Sequence, residues 1–164
     1  MVLFCMSRCA PTMSRAYRLT SGEVQEAQLA TSKATSPDVK RFARDMAVAH
    51  RDMQNKTTAL LDRLQLNPSE NAVSNQLKSD THSEVQDLQT MRGKDFDRDY
   101  IDAQVRNHNK ALEVLERITP GVKNLEFKTA LINLRPKIEA HLRAAERVQE
   151  ALQRGATSSQ PGMP

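Results

Sequence analysis

Residues 36–66, SPDVKRFARDMAVAHRDMQNKTTALLDRLQL, carry the pattern that decides the fold. Val39, Ala43, Met46, His50, Met53, Thr57, Leu60 and Leu64 recur at alternating steps of four and three. A 3.6-residue turn stacks such positions on one side of an α-helix, and the resulting seam must bury itself against neighbouring helices. Ser36 is placed to cap this helix, and Pro37 occupies its first turn, where a missing N–H does no harm. Asn67-Pro68-Ser69 then breaks it.

The same spacing recurs outward from this segment. Ile101, Val105, His108, Leu112, Leu115 and Thr119 follow it in a fourth helix, expected from near Asp95 to Thr119-Pro120-Gly121. Phe127, Leu131, Leu134, Ile138, His141, Ala145, Val148 and Leu152 follow it in a fifth, expected from about Asn124 to Arg154. Pro136 lies inside that fifth helix and is expected to kink or divide it. A short first helix is predicted from about Ser21 to Ala34. A third, more polar helix, from about Ser69 to Met91 and ended by Gly93, has a thinner stripe of Val73, Leu77, Val85 and Leu88. Long amphipathic helices joined by short breaks predict an all-α, antiparallel four-helix bundle, with the weaker third helix as an extra one across one end. The bundle domain spans residues 21–154, and the terminal stretches 1–20 and 155–164 are expected to be disordered.

Composition narrows the function. The 164 residues suit a single domain. No Trp, four Phe, two Tyr and five Gly argue against sandwiches, barrels and Gly-rich nucleotide loops. The net charge of +4 gathers at one end, because Arg8, Arg15 and Arg18 stand in an acid-free first twenty residues. The other 21 of the 24 Lys and Arg meet all 20 Asp and Glu in the helical body. A nearly neutral body with no basic stripe gives no sign of a nucleic-acid partner. Cys5 and Cys9 both lie in the N-terminal stretch, so the bundle needs no disulfide, and an isolated C-x3-C is a poor zinc site. No run approaches the ~18 apolar residues of a transmembrane segment. The opening MVLFCMSRCAPTMSR lacks the order of a signal peptide, since its apolar stretch is short and its charge follows that stretch.

Chemistry is confined to the histidines. His82 falls off the stripe of its helix and is expected in solvent, whereas His50, His108 and His141 occupy mid-helix seam positions on the second, fourth and fifth helices. Such positions share a layer in a bundle, so the three rings can converge. Buried polar rings need partners, and two answers stand side by side. One is a transition-metal ion (zinc, copper or iron) on the three imidazoles, with Glu23 as a fourth ligand. Glu23 stands one turn before Ala27 on a small-residue face continued by Ala30 and Ala34, which packs closely and projects its carboxylate inward. The other is a hydrogen-bond network inside a non-catalytic structural or interaction bundle. The chain lacks any Glu-x-x-His, so no di-iron carboxylate centre is expected. It has no Walker loop, His-Glu-x-x-His or Gly-x-Ser-x-Gly, and nothing else in it points to an enzyme.

Four segments together resemble the domain-of-unknown-function 4142 family, a bacterial group of ferritin-like helical bundles. They are EVQEAQLA (23–30), SPDVKRFARDMAVAH (36–50), GKDFDRDYIDAQVRNHNKALEVLE (93–116) and ALINLRPKIEAHLRAAERV (130–148), and the likeness covers roughly residues 22–152. His50, His108, His141, Glu23, the Phe96-Asp97-Arg98 and Tyr100 positions and Pro136 match the family's pattern. Ala49 departs from it, standing where an Asp usually precedes the histidine, and Glu26-Ala27 replace a usual Leu-Gly. The resemblance implies a periplasmic or envelope location, with envelope proteins as partners, and assigns no activity or oligomeric state.

Overall fold

The computed structural model describes residues 22–63 and 72–157 of the chain. Among them, every regular element is helical: α1 over 22–33, α2 over Pro37–Arg63, α3 over Ala72–Thr90, α4 over Gly93–Ile118 and α5 over Leu125–Thr157, with a 3₁₀ turn at Thr119–Gly121. The expected stretch 1–20, Ser21, and residues 158–164 of the C-terminal tail lie outside the described residues. Residues 155–157, expected in that tail, instead continue α5.

Local chemistry accounts for the helix ends. Asn124 Oδ1 accepts the Phe127 N–H at 2.8 Å and caps α5. The break between α1 and α2 is closed by a residue 61 positions further along: Asp97 accepts the Thr35 N–H at 2.9 Å, the Ser36 N–H at 2.8 Å and the Thr35 hydroxyl. Ser36 supplies the expected cap through a long 3.5 Å bond to the Val39 N–H. Lys33 donates to the Leu88 and Gln89 carbonyls at the end of α3 and sits 5.3 Å over the Phe96 ring.

Two expectations change. Gly93 opens α4 rather than merely ending the third helix, and its φ of +60° is a left-handed conformation that favours glycine. Pro136 does not divide α5, which runs unbroken through it. The proline is solvent-exposed, and so is Ile132, whose carbonyl loses its i+4 donor and can turn to water instead.

The core comes in two parts. One contains Ala27, Ala30, Val39, Phe42, Ala43, Met46, Ala47, Phe96, Tyr100, Ile101 and Ala145, and the other Leu115, Val122, Phe127, Leu131 and Ile138. Helices α2 and α4 run from the first part towards the second, and α5 runs back. His50 follows Ala47, His108 falls between Ile101 and Leu115, and His141 falls between Ile138 and Ala145. The three seam histidines therefore lie at the boundary between two apolar clusters. In α3, Leu88 is buried and Val85 half-buried, and the side chains of Val73 and Leu77 lie outside the described residues. No helix among the described residues is long and apolar enough to cross a membrane.

Candidate metal centre

Three helices bring His50, His108 and His141 together. Their ring centroids are 5.8 Å (His50–His108), 5.3 Å (His50–His141) and 5.5 Å (His108–His141) apart. One nitrogen from each lies within 4.8 Å of the others. His50 and His108 are buried and His141 is half-buried, so the trio is most open on the α5 side. His82 is exposed, as expected.

One tautomer is fixed by its neighbour. His108 Nδ1 lies 2.8 Å from the Gln104 carbonyl oxygen one turn earlier. A carbonyl only accepts, so Nδ1 carries a proton, and Nε2 is the nitrogen left for another partner. That Nε2, both nitrogens of His50 and Nδ1 of His141 are buried without any hydrogen-bond partner. Burial, reinforced by the charges of His108 and His141, lowers the His50 pKa to about 3. Burial, then His108 and Lys137, lowers His141 to about 4. Both rings are therefore neutral at pH 7, the state in which imidazole binds a metal.

Glu23 lies elsewhere. It is absent from the group of mutually close ligand atoms, and its carboxylate accepts from Gln104 Nε2 at 2.8 Å. Glu26, one turn on and only 2% exposed, accepts from the same nitrogen at 3.1 Å. Burial, then the charges of Glu23 and Glu84, pushes the Glu26 pKa up to about 10. Burial also raises Glu23, against the lowering influence of His108 and the Gln104 amide. Tyr100 is fully buried with an unpartnered hydroxyl, and burial followed by the charges of Glu23 and Glu26 raises its pKa.

Gln104 and Glu26 are the polar residues that sequence reasoning did not place at a site. One signal was available. Tyr100, Gln104 and His108 recur at steps of four and share one face of the fourth helix.

Described residues that are helical in every regular element, with three histidines gathered in the interior, define a helical protein with a candidate metal centre. The chain belongs to the family described as domain of unknown function (DUF4142), which matches residues 10–148. That match begins upstream of the residues that carry the likeness in sequence. No curated protein matches the chain. Its fold is similar to the crystal structure of a Streptomyces coelicolor protein described as a secreted DUF305 protein, with a TM-score of 0.63 at 12% identity. The similarity covers 93% of this chain and 95% of that one, and it concerns the fold alone.

Proposed function

We propose that the protein is a metal-binding helical bundle that holds one transition-metal ion on His50, His108 and His141. The observation that carries this reading is that the three rings hold four buried nitrogens without a hydrogen-bond partner, and that each ring brings one nitrogen within 4.8 Å of the others. Buried polar atoms without partners cost on the order of 1–3 kcal/mol each, and a metal ion is a partner that takes three lone pairs at once. The alternative, a structural bundle with a histidine hydrogen-bond network, is less well supported, since no hydrogen bond joins the rings.

Three imidazoles suit zinc, copper or iron. Bonds of ~2.0–2.1 Å place tetrahedral ligand nitrogens about 3.3 Å apart, so small ring rotations close the trio onto an ion. Gln104 orients His108 from behind, as a metal-bound histidine requires. With Glu23 engaged by Gln104, the fourth position falls to water or a small ligand entering past the half-buried His141. The surrounding frame is a ferritin-like, antiparallel four-helix arrangement. An envelope or extracytoplasmic setting agrees with the description of the Streptomyces protein as secreted.

Equilibrium dialysis of the metal-stripped full chain against zinc tests the centre. One equivalent is expected to bind, to raise the melting temperature, and to be lost in His50→Ala and His141→Ala. Protein that stays metal-free, with a melting temperature indifferent to zinc, copper and ferrous iron, overturns it.

A further inference from the structure

On the other side of Gln104 lies a polar cluster that the histidine centre does not use. Glu23 and Glu26 are three residues apart on one face of α1, and both carboxylates converge on Gln104 Nε2 at 2.8 and 3.1 Å. Neither forms an ion pair with a lysine or arginine among the described residues. Opposite them on α4, Tyr100 and Gln104 are both 0% exposed, and the Tyr100 hydroxyl and Gln104 Oε1 have no hydrogen-bond partner. Two carboxyl groups, Glu26 buried and Glu23 half-buried, thus lie with two orphaned oxygens and no cationic side chain paired to them among the described residues.

We propose that Glu23, Glu26, Gln104 and Tyr100 form a second metal site, one helical turn from the histidines, for a hard divalent cation held entirely by oxygen atoms. Carboxylate, amide and hydroxyl oxygens are the donors of magnesium, manganese and calcium sites, and imidazole is absent from this set. The Gln104 amide is the switch. In the metal-free state its NH₂ group satisfies the two carboxylates. Turned by half a rotation, it presents Oε1 to the cation in place of Nε2. The backbone carbonyl of the same residue stays on His108, so the two sites share a residue without sharing a ligand.

An acidic groove adjoins the cluster through Glu84. Asp80, Glu84, Asp87 and Asp99 line an open groove of about 520 Å³ between α3 and α4. Glu84 belongs to this groove, is held by Asn107 Nδ2 at 3.3 Å, and acts electrostatically on both Glu23 and Glu26. Four carboxylates against the single Arg106 make this groove attractive to cations.

Manganese is the probe. The full chain is stripped, given one equivalent of zinc, and titrated with Mn²⁺ while the electron paramagnetic resonance signal of free Mn²⁺ is followed. One Mn²⁺ should bind, at least tenfold more weakly in Glu26→Gln and more weakly in Tyr100→Phe. Binding should be unchanged in Asp87→Asn, which alters only the open groove, and in His141→Ala, which removes zinc. Melting curves confirm that each variant is folded. Absence of Mn²⁺ binding, equal binding in Glu26→Gln, or loss in Asp87→Asn alone overturns the site. Zinc binding without manganese leaves the histidine centre standing and removes this one, and manganese without zinc does the reverse.

Discussion

His50 places two ring nitrogens in a dry interior, 6% exposed, with no partner for either. Such a residue is a burden to the metal-free protein and an asset only when something binds it. Replacing a buried unsatisfied polar group by an apolar one of similar size is neutral or stabilising. His50→Leu should therefore raise metal-free stability by about 1 kcal/mol in urea unfolding with chelator present, and abolish the rise that zinc produces in the wild type. Glu26 makes a similar case with the opposite pH dependence. Its folded pKa of about 10 stands far above the ordinary 4.5, so the unfolded chain releases this proton first as pH rises. Stability from the protonated form is complete below pH 4.5 and is lost as pH climbs towards 10. Glu26→Gln should thus stabilise the chelated protein at pH 8 by at least about 1 kcal/mol and change little at pH 4, as melting at the two pH values will show. At this scale the histidines were legible because each interrupts an apolar seam. Gln104 was not, since its burial follows from meeting two glutamates on another helix, a pairing no local pattern contains.

Helices here are secured by residues distant in sequence. Asp97, 2% exposed, takes the first free N–H groups of the α1–α2 corner and the Thr35 hydroxyl on its two oxygens. A charged acceptor of several bonds is worth more than an ordinary cap. Asp97→Ala should lower stability by about 2–4 kcal/mol, and Asp97→Asn, which keeps one acceptor oxygen, by roughly half as much, measured by urea unfolding. A loss below about 0.5 kcal/mol in Asp97→Ala would mean that water replaces it freely. The seam periodicity located α2, α4 and α5, because an apolar stripe at steps of three and four has few other uses. It could not foresee that Asp97, in a charged run at the start of α4, closes the corner before α2. Nor could it foresee that Pro136 would leave α5 whole, since that outcome depends on which side of the helix meets water.

Across the whole molecule, the histidine layer lies at the boundary between two apolar clusters, and α2, α4 and α5 all pass through it. A metal there would tie three helices at mid-length, so its effect should appear as global stability. Zinc at a hundred times its dissociation constant adds about 2.7 kcal/mol, or about 5–10 °C in melting temperature for a chain of this size. The pH dependence separates this buried centre from a surface trio. The folded pKa values of about 3 for His50 and about 4 for His141 lie below the ordinary 6.5. In the metal-free protein, the stability carried by these neutral rings is present above pH 6.5 and lost as pH falls towards 3–4, because the unfolded chain takes up the protons first. Zinc, by contrast, competes with protons at these two ligands only near pH 4 and below. Two ordinary histidines would each give up about fivefold in affinity between pH 6.5 and 5.5, about thirtyfold together. For this pair the loss should be under tenfold, measured by zinc titration of the folded chain at both pH values. A loss of about thirtyfold would show that His50 and His141 meet solvent, and that the ion binds at the surface and not in the layer between the two clusters.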